Sequence, residues 1–70
     1  MTRTSYAFRR GREWICAPAG HDRNAAMVPG LTVAPDLSQA WQCDDLDAAH
    51  ERQALLRMVM GWSTEIRAVR

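Results

Sequence analysis

The sequence contains no lysine, and all nine of its cationic side chains are arginines. It also lacks a long apolar run, because Pro29, Gly30, Pro35 and Arg57 interrupt the apolar stretches. A helix that crosses a bilayer needs roughly 20 apolar residues, and a secretory signal needs an apolar block after its basic start. The sequence therefore predicts no membrane span and no export signal. We expect residues 1–70 to form one cytoplasmic domain.

Groups that could carry out catalysis are scarce in this sequence. It has no glycine-rich phosphate loop, no nucleophile motif and no histidine pair at the helical spacing of a metal site. Zinc-ligand residue types occur at Cys16, His21, Cys43 and His50, but their spacing differs from the short pairs of structural zinc modules. We expect no enzyme activity, no metal and no cofactor. The two cysteines are predicted to be reduced and buried, and a disulfide between them stays open.

Residues 44–60 form the longest segment with helical periodicity, and they predict one amphipathic helix. The apolar residues that share one side of the helical wheel are Leu46, Ala48, Ala49, Leu55, Leu56, Val59 and Met60. Asp44 is the predicted N-cap, and Gly61 stands where a left-handed residue commonly ends a helix. Trp41 and Trp62, which flank this segment, are expected to pack the helix against a sheet.

Two short runs at 5–9 and 12–17 contain aromatic and β-branched residues, and they predict an N-terminal β-hairpin. A two-residue turn that ends at Gly11 pairs Arg9 with Arg12, and we favour it because glycine suits such a turn. The same register places Tyr6, Phe8 and Ile15 on one face and Trp14 on the other. A turn one residue longer would pair Arg9 with Glu13 and bring Trp14 opposite Phe8.

The remaining segments complete a prediction of the fold class. Residues 18–30 contain prolines, glycines and no periodicity, so they predict a loop, whose apolar part at 25–28 is expected to fold back on the core. Short strands are predicted at 31–34 and 38–43, and a closing strand at 64–69. We therefore expect an α+β domain, in which a small antiparallel sheet of the hairpin, an internal strand and a C-terminal strand packs against one helix.

Charge divides unequally along the chain and offers two candidate binding surfaces. Residues 1–35 carry five arginines against two carboxylates, a net charge of +3, and residues 36–70 carry four against six, a net charge of −2. The predicted helix start contains the acidic residues Asp44, Asp45, Asp47 and Glu51. Carboxylates there stabilise the helix dipole, and they could also dock onto a basic groove of another protein.

The second candidate surface lies on the hairpin, and its residues are Arg9, Arg10, Arg12 and Trp14. Arginines beside an aromatic ring can bind phosphates and stack on an unpaired base. The near-neutral net charge of +1 is unlike that of most nucleic-acid-binding domains. A small nucleic-acid-binding protein is therefore the alternative hypothesis, and the acidic surface is our first choice.

Several segments together resemble small accessory proteins of phages and mobile elements, including anti-CRISPR inhibitors. The resemblance lies in the residues 6–11 with Trp14, in 36–41, in the capped helix and in 66–69. It implies a stoichiometric inhibitor that binds a host protein complex in the host cytoplasm, and it assigns a role to no individual residue. The expected function is thus non-catalytic binding to a host complex, possible partners including an effector that binds nucleic acid.

Overall fold

The computed structural model describes residues 4–69, and the predicted domain extends beyond them only at positions 1–3 and 70. The described residues form a five-stranded antiparallel sheet and one helix, which confirms the α+β class. The strands are β1 (Tyr6–Arg10), β2 (Glu13–Cys16), β3 (Thr32–Ala34), β4 (Gln42–Cys43) and β5 (Glu65–Ala68). The helix α1 (Leu46–Leu55) continues directly into a π-helical turn, Leu56–Met60.

Strand β1 is the centre of the sheet, because three other strands pair with it. Strand β5 covers one edge of β1, from Tyr6 opposite Ala68 to Arg9 opposite Glu65. The other edge is shared by β4 at the start of β1 and by β2 at its end, and β3 pairs with β2 on the far side. Both predicted short strands at 31–34 and 64–69 are therefore confirmed in outline.

The hairpin register differs from both predicted registers. Arg10 pairs with Glu13 and Arg9 with Trp14, so the two turn residues are Gly11 and Arg12. Gly11 has φ of 64°, and a glycine at the first turn position is typical of the type II′ turns that match strand twist. This register also replaces the predicted contact between two arginines with a pair of opposite charges.

The predicted faces of the hairpin are nevertheless correct, since the register shift leaves the alternation unchanged. Phe8 and Ile15 are fully buried, while Trp14 lies on the opposite face and is half-buried. Trp41 is also fully buried, and its ring lies 5.5 Å from that of Phe8 at a tilt of 41°. Aromatic pairs at such separations and tilts stabilise cores beyond the area they bury.

The long loop packs on this core as predicted for its apolar part. Val28 is buried, and Ala25 and Met27 are half-buried against the core cluster. Leu31, which follows the loop, is buried as well. The loop is thus tied to the domain by its own apolar side chains.

The helix begins one residue later than predicted. Asp45, not Asp44, is the N-cap: its backbone is extended and its carboxylate accepts the N–H of Asp47 at 3.2 Å. Asp44 instead accepts a hydrogen bond from the hydroxyl of Ser5 at 3.2 Å. The contact with Ser5 explains the correction, because it engages the carboxylate of Asp44 outside the helix.

The predicted apolar side of the helix is wrong at several positions. Ala49 and Leu56 are fully buried, whereas Leu46, Val59 and Met60 are exposed. Arg52, which lies between Ala49 and Leu56 at helical spacing, occupies the inner side and is only 4% exposed. A buried cation thus takes a position that the periodicity reserved for an apolar residue.

The end of the helix is widened. The N–H of Gly61 bonds to the carbonyl of Arg57 at 3.1 Å, and that of Trp62 bonds to the carbonyl of Leu56 at 3.2 Å. Gly61 has φ of 71° and ends the helix as predicted. Because a π-helical turn contains more residues than an α-helical one, it carries Val59 away from the inner side.

The predicted strand at 38–43 is much shorter in the structure. Residues Leu37–Gln39 form a 3₁₀ turn, whose N-cap Asp36 accepts hydrogen bonds from the N–H and hydroxyl of Ser38. This local capping competes with extended structure, so only Gln42–Cys43 remains as β4. Trp41 and Cys43 are buried as the predicted face requires, but Gln39 is exposed.

Candidate functional site

The four predicted acidic residues are all exposed and lie at the start of α1. Two of them have structural partners, because Asp45 caps the helix and Asp44 accepts from Ser5. Asp47 and Glu51 have none of these roles. Within residues 4–69 the ion pair is that of Arg67 with Glu65, so no cation pairs with Asp47 or Glu51 there.

Asp47 and Glu51 lie one helical turn apart, and therefore side by side. Like charges at this spacing destabilise a helix by about 0.2–0.5 kcal/mol. The position of Asp47 in the first turn offsets part of this through the helix dipole, but Glu51 lies beyond that turn. The helix thus carries an acidic pair that contributes little to its own stability.

The same side of the helix becomes apolar toward its end. Steps of four, three and four residues connect Asp47, Glu51, Ala54 and Met58, which we name the outer helix face. All four are exposed, and Met58 is 80% exposed. Val59 is 62% exposed beside it, so a domain of this size leaves consecutive large apolar side chains in water.

A groove of about 390 Å³ borders the outer helix face. It runs between α1 and the segment 62–64, and its lining residues are His50, Gln53, Ala54, Arg57, Met58, Trp62, Ser63 and Thr64. The side chain of Gln53 donates to the carbonyl of Thr64 at 2.7 Å and holds the two walls together. The guanidinium of Arg10 lies 5.9 Å from the Trp62 ring centroid. Sequence reasoning placed Trp62 in the core and missed this groove.

The structure divides the predicted hairpin surface between two faces. Arg9 and Trp14 are directly opposite each other, and the guanidinium lies 5.6 Å from the ring centroid. The Nε of Arg9 also donates to the carbonyl of Gly11 at 3.0 Å. Arg10 points to the other face, toward Trp62, and Arg12 is exposed in the turn. Only Arg9 and Trp14 of the four therefore form a joint site.

Arg52 is the residue of greatest structural consequence that the sequence reasoning did not single out. Its two terminal nitrogens donate to the carbonyls of Gln42 at 3.3 Å and Arg23 at 2.8 Å. Its guanidinium also lies 4.7 Å from the centroid of Trp41. Arg52 thus joins the helix, β4 and the long loop. The spacing of three from Ala49 and four to Leu56 was the available signal.

Groups with potential reactivity are buried or dispersed. Cys16 and Cys43 are both free thiols, buried as expected for small apolar residues, and burial raises the pKa of each. Hydrogen bonds from Ser38 lower the pKa of Asp36. No three histidine, cysteine or carboxylate residues of the described part of the chain are grouped so as to hold a metal ion. No helix between residues 4 and 69 is long and apolar enough to span a bilayer.

Comparisons with known proteins place no constraint on these surfaces. Neither protein-family models, nor curated proteins, nor solved structures match the chain. The functional argument therefore depends on the geometry of the outer helix face, the groove and the hairpin.

Proposed function

We propose that this protein is a non-catalytic inhibitor of the phage type, which binds a protein complex of its host through the outer helix face. The target class is a bacterial defence complex with a basic groove that ordinarily holds nucleic acid. Asp47 and Glu51 would oppose the cationic wall of that groove, with Asp44 and Asp45 beside them. Met58 would supply apolar contact at the other end of the helix.

One observation carries this proposal: the outer helix face is exposed and has neither an ion pair nor an apolar cover within the described residues. Opposite potentials on two proteins accelerate their encounter and discriminate against other partners. Methionine at an interface adapts to irregular apolar surfaces. A face with charge at one end and apolar side chains at the other supplies both contributions.

The test is reversal of charge at Asp47 and Glu51. The double variant Asp47→Arg/Glu51→Arg is expected to keep the thermal stability of the parent, since both side chains are exposed and unpaired. Binding to a complex captured by the tagged parent protein from its host should weaken more than tenfold, about 1.4 kcal/mol. Excess single-stranded nucleic acid should displace the parent from that complex.

The matched control is Glu13→Arg/Glu65→Arg, which changes the net charge equally at the hairpin end of the sheet. Both residues are exposed, so this variant should also fold. It should bind the complex as the parent does. Equal binding by the Asp47→Arg/Glu51→Arg variant would eliminate the acidic surface.

Binding of single-stranded nucleic acid is the second candidate function, and the contact between Arg9 and Trp14 favours it. The half-buried ring presents an aromatic surface beside a cation, as stacking sites for bases do. Titration with labelled oligonucleotides at two salt concentrations tests this function directly. Tight binding that weakens steeply with salt, and is lost in Trp14→Ala, would establish nucleic acid as the ligand instead of the protein partner.

A further inference from the structure

The groove beside the outer helix face has one aromatic wall and one mixed wall. Trp62 forms the first, and the helix contributes Ala54, Arg57 and Met58 to the second. Its volume of about 390 Å³ is comparable to small binding clefts, which begin at roughly 300 Å³. It can therefore accommodate a large apolar side chain and the backbone that carries it.

The charge of this groove is opposite to that of the helix start. Arg57 lines it, Arg10 lies over the Trp62 ring, and no carboxylate is among the lining residues. Neither arginine has an ion-pair partner in residues 4–69. A guanidinium binds a carboxylate through two parallel hydrogen bonds, which gives orientation as well as affinity.

We propose that the groove binds a short acidic segment of the protein partner. A large apolar side chain of that segment enters between Met58 and Trp62, and a neighbouring carboxylate pairs with Arg57. This inference rests on the proposed function, because it assigns a second contact to the same partner. The two ends of the helix then contact opposite charges on the partner, and this pattern fixes the orientation in which they associate.

The choice of a protein segment follows from what adjoins the groove. Met58 and Val59 extend the apolar surface beyond the cleft itself, further than a small ligand would cover. Tryptophan and arginine are also the residues that most often dominate protein interfaces, where they fill central pockets. A mononucleotide would stack on Trp62 but leave Met58 and Val59 in water.

Nuclear magnetic resonance of the isotope-labelled protein tests the proposal, because the three tryptophan indole N–H signals report separate places. The probe is a terminally blocked peptide of the sequence Glu-Asp-Phe-Leu-Asp. At peptide concentrations up to about 1 mM, a range that detects weak binding, the Trp62 signal should shift and that of buried Trp41 should not. Arg57→Glu should weaken binding at least tenfold.

Two controls separate the groove from general charge attraction. Arg23→Glu makes the same charge change at an exposed residue outside the groove, and it should bind the peptide as the parent does. A peptide with lysine in place of each acid should leave Trp62 unshifted. The proposal is overturned if the acidic peptide leaves Trp62 unshifted, if Arg57→Glu binds normally, or if Arg23→Glu weakens binding equally.

Failure here would not touch the outer helix face. The experiment with Asp47→Arg/Glu51→Arg measures capture of the host complex and uses no groove residue. Adenosine monophosphate serves as a last probe: a Trp62 shift with this nucleotide, and none with the acidic peptide, would replace the protein segment with a nucleotide ligand.

Discussion

Replacement of Arg52 by methionine is the most informative perturbation of the fold. Methionine retains most of the aliphatic length but removes the hydrogen bonds to the carbonyls of Gln42 and Arg23 and the contact with Trp41. Hydrogen bonds from a charged donor contribute about 1.5–3 kcal/mol each, and a desolvated cation–π contact about 2 kcal/mol. Against this, burial of the guanidinium costs several kcal/mol, which methionine recovers.

We expect a net loss of about 2–3 kcal/mol for Arg52→Met, from the hydrogen bonds and ring contact less the recovered desolvation. A chain of 70 residues has a free energy of unfolding of about 4–10 kcal/mol, so this loss is a large fraction. In urea, where small domains have a slope near ~1 kcal/mol per molar, the midpoint should fall by about 2 M.

Arg57→Met is the matched control, because Arg57 lies on the same helical segment and is exposed. Its stability should stay within about 0.5 kcal/mol of the parent. Amide exchange should also accelerate around Arg23 in the Arg52 variant and not in the control, since the loop loses its bond to the helix. An Arg52→Met protein as stable as the parent would refute the assigned role of Arg52.

Four further outcomes follow from burial and backbone geometry. Leu56→Ala should cost about 2–5 kcal/mol in urea unfolding and Leu56→Asp still more, because Leu56 is fully buried; parent-like melting of the Asp variant would mean that the inner side of the helix is misassigned. Gly61→Ala should cost about 1–2 kcal/mol from the left-handed backbone alone, since no atom lies within 4 Å of the added methyl group. Thr64→Val should be neutral or slightly stabilising, because the buried hydroxyl of Thr64 has no hydrogen-bond partner. The raised pKa values of Cys16 and Cys43 favour the protonated thiols in the folded state, so stability should decline as the pH rises above the ordinary thiol value of 9.0; a Cys16→Ala/Cys43→Ala protein should lack that decline.

Local signals determined much of the fold from sequence. Gly61 ended the helix where expected, and the alternation of Phe8 and Ile15 fixed the buried face of the hairpin. The hairpin register was not predictable in the same way, because Gly11 suits either position of a two-residue turn. Its place became clear only from the pairing of Arg10 with Glu13.

The errors on the helix have a common physical origin, which is tertiary contact. Arg52 is buried because carbonyls from a distant loop and from β4 accept its hydrogen bonds, and periodicity contains no information about them. Val59 is exposed because the helix widens before Gly61. The groove likewise depends on how the segment after Gly61 folds back toward Gln53, which sequence patterns do not specify.

Photo-crosslinking in host cells tests the central claim, binding of a protein partner through the outer helix face, most directly. Benzoylphenylalanine would replace Ala54, which is exposed in the middle of that face, or Thr32, which is exposed on β3 as a control. The account predicts a discrete protein adduct from position 54 that disappears when Asp47→Arg/Glu51→Arg is added, and no such adduct from position 32. An adduct from position 32 alone, or one from position 54 that survives the charge reversal, would contradict it.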